Sequence, residues 1–83
     1  MKKIFNTNEH IQARNALLGL KSGETIEVQI NNFRNRFTGI TTANGDEFVI
    51  VEIYNTMKDN WVLVGQASHK TIANLYFKNP IIQ

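Results

Sequence analysis

The 83-residue chain contains no cysteine, a single proline and a net charge of only +2. The missing cysteines exclude disulfides, thiolate zinc sites and cysteine nucleophiles together, so a domain this small must be held by packing or by association with another chain. There is no room for a second core, and residues 1–83 read as one small globular domain. Nine Lys+Arg against seven Asp+Glu supply no bulk electrostatic footprint for nucleic acid; only local clustering of cations can do so. Apolar runs such as residues 48–51 fall far short of the ~18–20 residues that span a bilayer. At the start, Met1-Lys2-Lys3-Ile4-Phe5 gives way to Asn6 and Thr7 before a signal-peptide core develops. A cytoplasmic protein without membrane contact is the expectation.

What is present is apolar enough to fold, with 42% hydrophobic and 19% charged residues. Eleven Asn and ten Ile, both encoded by AT-rich codons, point to a low-GC bacterium or to a phage or mobile element living in one. Asn6, Thr7 and Asn8 offer helix N-caps, with Ile4 and Phe5 placed as a hydrophobic staple. A helix over residues 8–20 follows, with Gly23 suited to its C′ position. Ala13, Ala16, Leu17 and Leu20 form one stripe of that helix, while Ile11 and Leu18 fall on nearly the opposite side.

Residues 24–30 alternate strictly, with Ile26, Val28 and Ile30 on one side, which is the signature of a half-buried strand. The next turn sits either at Asn31-Asn32 or at Arg34-Asn35. A second strand over 36–43 leads through Asn44-Gly45, a strong hairpin signal, into a third over 46–54 that is apolar on both faces. Residues 61–65 read as a fourth strand. Ser68 then caps either a short helix over 69–78 or precedes a fifth strand over 71–77. The fold expected is α+β: an N-terminal helix packed on a four-stranded antiparallel meander that curls toward a small barrel, closed by a C-terminal helix or a fifth strand. In element order this outline resembles the Sm-like barrels and the double-stranded-RNA-binding domains. The resemblance carries no residue roles across: Ser68-His69-Lys70-Thr71 holds one lysine where the RNA-binding pattern is lysine-rich.

Side chains with catalytic potential are sparse. His10 and His69 have no second ligand at zinc spacing, so no metal is expected and both read as surface or capping residues. Adjacency does not make Ser68-His69 a nucleophile and its base. Asp46, Glu47 and Glu52 read as a solvated hairpin edge, and the five glycines match no phosphate loop. No catalytic residue, cofactor or enzymatic activity is expected.

Two features remain. In Phe33-Arg34-Asn35-Arg36-Phe37, cations and aromatics interleave. On a strand, Phe33 and Phe37 share one face and Arg34 and Arg36 the other, whereas at a hairpin tip both arginines point outward. Arg34 and Arg36 then either contact nucleic acid, beside stacking rings such as Phe33 or Tyr54, or pair with Glu27 and Glu52 on neighbouring strands. The second feature is a surplus of apolar faces: Ile11 and Leu18, with Asn15 between them, on the helix, Phe48 and Ile50 on the central strand, and Trp61 as an anchor. Either the C-terminal segment covers Ile11 and Leu18 with Leu75 and Phe77, or these residues meet a protein partner or a second copy in a dimer. The leading expectation is a non-enzymatic accessory or regulatory binding protein, phage-like in type, docking on protein through an exposed apolar patch. The alternative is a small nucleic-acid-binding module built on Phe33, Arg34 and Arg36.

Overall fold

The computed structural model describes residues 3–77. The chain runs β1 (Ile4–Phe5), a 3-10 turn (Thr7–Glu9), α1 (His10–Leu18), β2 (Thr25–Ile30), β3 (Phe33–Thr41), β4 (Glu47–Asn55), β5 (Asn60–Ala67) and α2 (His69–Tyr76). The strands form one mixed sheet in the order β1-β2-β3-β4-β5. The expected antiparallel meander is β2 to β5; the fifth strand lies at the other end of the chain, where Ile4 and Phe5 pair in parallel with Glu27 and Val28. Ile4 and Phe5 are thus sheet residues instead of a staple, because Phe5 reaches the core from an edge strand while Ile4 faces out. The sheet stays open rather than curling into a barrel: β1 and β5 are its two ends.

Local chemistry sets the turns. Asn31 and Asn32 take positive φ, 51° and 70°, as a two-residue type I′ hairpin demands, which places the turn there and leaves Arg34-Asn35 inside β3. The Asn44-Gly45 hairpin closes as a three-residue loop, with Thr42 N donating to Asp46 O at 2.8 Å and Gly45 supplying a left-handed φ of 88°. At the next turn, Asn55 Oδ1 accepts from the backbone N–H groups of Met57 and Lys58 at 3.0 and 3.1 Å. The C-terminal segment is the helix α2, started by Ser68, whose Oγ accepts from Thr71 N at 3.2 Å. Capping and the Ile72, Ala73 and Tyr76 stripe outweigh the β propensity of its Thr, Ile, Tyr and Phe. The first helix is shorter than 8–20: Asn6 N–H donates to the Glu9 carboxylate at 2.9 Å across a 3-10 turn, and Gly19, not Gly23, caps the end.

Both helices lie on one face of the sheet. Ala13, Leu17 and Leu20 from the first helical region, Ile72, Ala73 and Phe77 from the second, and Ile26, Val28, Phe37, Val49 and Val51 from the strands form the core with Phe5. Phe37 sits at its centre, fully buried, with the Tyr76 and Phe77 rings at 5.4 and 5.6 Å. His69 ties the layers together by donating from Nε2 to Leu20 O at 2.7 Å, a structural role that its capping position concealed in the sequence.

One glycine is there for space. Gly39 is buried on β3, and a Cβ on it would collide with the main-chain carbonyl of Lys21, where residues 22 and 39 bridge. Gly39→Ala is expected to cost about 2 kcal/mol or more because backbone must shift. Gly65→Ala, where a Cβ meets nothing within 4 Å, is expected to change stability by less than about 0.5 kcal/mol. Urea denaturation of the two variants checks the contrast.

Candidate functional site

The sheet face turned away from the helices is built by alternation. With Phe37 and Asn35 facing the helices, Arg34 and Arg36 project from the opposite side of β3, as the strand reading of that segment requires. The register then sets Arg36 directly between Glu27 on β2 and Glu52 on β4, and places Tyr54 beside Trp61 across β4 and β5. These residues come from four strands and meet because the pairing is regular.

Arg34 forms a bidentate pair with Glu27, Nε to Oε2 at 2.8 Å and Nη2 to Oε1 at 3.0 Å. Arg36 binds Glu52 Oε1 through Nε and Nη2, both at 2.8 Å. The guanidiniums also stack: Arg36 lies 4.2 Å from the Trp61 ring centroid, and Arg34 lies 4.8 Å from Tyr54 and 5.1 Å from Trp61. Tyr54 and Trp61 meet edge to face at 5.3 Å. The hydrogen bond from Glu27 raises the Arg34 pKa further above its already high value, so this cation stays charged at any physiological pH. Two arginines and two glutamates cancel, which makes the face aromatic, polarisable and close to neutral.

The nine candidate residues separate into three places. Phe48, Ile50 and Trp61 share the outer sheet face with Arg34 and Arg36. Ile11, Asn15 and Leu18 lie on the far side of the molecule, on the solvent side of α1, with Ile11 59% and Leu18 40% exposed. No single patch unites the two sets. Leu75 does not cover Ile11 and Leu18, since it is itself exposed, and Phe77 is buried in the core against His10. Phe33 projects from the other side of β3, with the parity of Asn35 and Phe37, and meets Arg34 and Tyr54 only along a cleft at the hairpin end, so Tyr54 and Trp61 are the rings that stack on the arginines. Lys2 and Lys78 lie outside the described residues.

Met57, Val62 and Leu63, all exposed, were not singled out by the sequence. Phe33 and Val62 line a shallow cleft of about 620 Å³ at the hairpin end, together with Arg34, Tyr54 and Met57. A smaller groove of about 330 Å³ runs between β1 and α1, bordered by Asn15 and floored by Phe5, Leu20 and Ile26. Leu63 stands on the outer face beside Glu52 and is 66% exposed. Its alternation with Trp61 was the available clue, but an apolar strand reads as buried until its neighbours are known. Among the described residues no three His, Asp or Glu side chains gather to hold a metal ion, and no helix is long and apolar enough to cross a membrane.

The stacked pair sets up a measurable coupling. Arg36→Met is expected to cost about 1 kcal/mol or less, since ion pairs and cation–π contacts at partly exposed sites are each worth about 0.5–1 kcal/mol. It should also shift the emission of Trp61, the only tryptophan of the chain. Urea unfolding followed by fluorescence reads both effects. A double-mutant cycle with Glu52→Gln assigns the coupling to the pair.

No family model matches the chain, and no match emerges among curated proteins or among solved structures.

Proposed function

We propose that the chain is a small non-enzymatic accessory or regulatory binding protein, of the kind phages and mobile elements encode, which docks on protein in the cytoplasm through the outer face of its sheet. The observation that carries this reading is a face that no other described residue covers although it holds Phe48, Ile50, Tyr54, Trp61 and Leu63. Trp, Tyr and Arg are the residue types enriched at binding hot spots, and here the rings are held in fixed geometry by the arginines before any partner arrives. Ile11 and Leu18, lying on the opposite side, are not part of this surface.

The nucleic-acid reading draws on the same arginines and rings, since stacked aromatics beside cations form a platform for single-stranded bases. Charge supports the protein reading over this one. Both guanidiniums are already committed to Glu27 and Glu52, so a phosphate would have to displace a carboxylate from each and would still meet the two acidic groups.

Two experiments test the reading. A photo-crosslinking residue at Ile50 is expected to trap a discrete protein in cells of the chain's own source, and the same residue at Ile11 is not. Trp61→Ala should weaken capture at Ile50 by tenfold or more, as loss of a hot-spot ring costs roughly 2 kcal/mol. Equal trapping from Ile11, or no protein adduct from Ile50, overturns the proposal. Titration of Trp61 fluorescence with single- and double-stranded oligonucleotides is expected to show no salt-dependent binding; binding that weakens steeply with salt supports the nucleic-acid alternative instead.

A further inference from the structure

The two ends of the sheet are treated differently. Among the described residues, β1 is two residues long and turns at once into a helical turn. Beside it, Thr7 Oγ1 donates to Gln29 O at 2.9 Å, which satisfies β2 main chain that β1 does not reach. This is an edge blunted by shortness and by side-chain capping. β5 at the other end has neither device: it is eight residues long, its sequence NWVLVGQA carries no charge, and Val62, Leu63 and Val64 are all exposed.

The direction of the β5 main chain follows from the ladder. Gly39 N donates to Glu24 O at 2.9 Å and Gly39 O accepts from Gly23 N at 2.8 Å, so the main-chain groups of Asn35, Phe37 and Gly39 point toward β2. In antiparallel pairs this alternates, and carrying it through the printed register turns Ile53 and Asn55 toward Val62 and Asn60. The N–H and C=O groups of Trp61 and Leu63 therefore face outward along the edge. Such a row accepts one kind of partner, an extended backbone.

The geometry points to a second copy of this chain as that partner, joined through β5 about a two-fold axis at Val62. In this register Trp61 of one copy lies opposite Leu63 of the other, and the outward groups of both satisfy each other in four main-chain hydrogen bonds. On the outer face, each Trp61 packs beside a Leu63, an aromatic–aliphatic cross-strand pair. On the helix side, Val62 meets Val62. Lys58 and Asp59 come opposite Gln66 and Gly65, so no like charges face one another.

Exposed apolar groups outside the strand fit the same arrangement. Tyr76 and Phe77 pack on Phe37, which shares a row with Val51 and Gly65, so the C-terminal end of α2 stands over that row. Phe77 faces His10 of α1, and Leu75 is exposed. In the two-fold register the exposed Met57 turn of one copy comes opposite Ala67, just before α2, in the other.

Two features limit the assembly to a pair. The register shift between Val51 and Glu52 leaves an extra residue at Val64 and ends a regular ladder there. The blunted β1 edge offers no second site for head-to-tail growth, so the assembly closes as an isologous dimer instead of a fibre. The inference goes beyond the docking reading, because it rests on the main-chain edge of β5 and touches the outer face only at its Trp61–Leu63 border. It would join two outer faces into one continuous surface.

Sedimentation equilibrium from about 1 µM to about 500 µM, a range suited to an interface at the small end of the stable class, tests it. The mass is expected to rise from one chain to two and to stop there, with no weakening by salt. Leu63→Pro removes an N–H that the β4 ladder does not use; it should stay at the mass of one chain with an unchanged circular dichroism spectrum. Val62→Lys and Val62→Glu should each weaken pairing tenfold or more alone, by placing like charges on the axis, and should pair with each other when mixed. This charge-swap rescue holds even where the proline variant fails to fold. A wild-type chain that stays single across the range, growth past two chains, or Val62→Lys dimerising as well as the wild type overturns the inference. Loss of dimerisation through Val62→Lys or Val62→Glu, on the helix side of β5, leaves crosslinking at Ile50 unaffected, so the two proposals fail separately.

Discussion

The constraint on which the rest of the structure depends is coverage. Two helices of nine and eight residues are ~12–14 Å long, whereas a nine-residue strand runs ~30 Å. Both helices must also serve the same face, because Phe37 at the centre of the sheet is sealed by α2 rings while α1 brings Ala13 and Leu17 to the β1–β2 side. One face of the sheet is closed by this arrangement over part of its length, and among the described residues no helix lies on the other. With no disulfide to fall back on, that single layer of core is what holds the chain together.

The uncovered face meets water by a compromise. Rings and guanidiniums interleave there: each arginine lies over an aromatic ring and binds a carboxylate on a neighbouring strand. The apolar stems and ring faces shield one another, and the charged ends remain solvated. Each arginine is paired with a glutamate, so the two add no net charge to the face.

Much of the architecture was legible in the sequence because it is written in short-range patterns. Alternation located β2 and the arginine side of β3; Asn31-Asn32, Asn44-Gly45 and Ser68 marked turns and a cap whose chemistry is local. What escaped was non-local. Two residues, Ile4 and Phe5, are too few to show a period, and only the partner β2, more than twenty residues away, makes them a strand. The β5 edge escaped for the same reason. Trp61-Val62-Leu63-Val64 reads as buried from its composition, and its exposure depends on the strand order and on where α2 ends. The two-sided apolar helix was legible, yet its Ile11 and Leu18 could not be placed relative to Phe48 and Ile50 until the layers were known. The arginines show the limit most plainly: the sequence permits either phosphate contact or ion pairing, and the cross-strand register sets the arginines beside Glu27 and Glu52, with which they pair.

The central claim is that β5 is an open edge whose main chain is half engaged and half free. Residue-resolved amide hydrogen exchange measures this directly, since the claim assigns opposite fates to adjacent residues. In dilute protein the Val62 amide, bonded into the β4 ladder, is expected to be protected, while those of Trp61 and Leu63 exchange near the rate of free peptide and become protected as concentration rises. Protection of Trp61 and Leu63 in dilute protein, or an unprotected Val62 between them, would contradict the account.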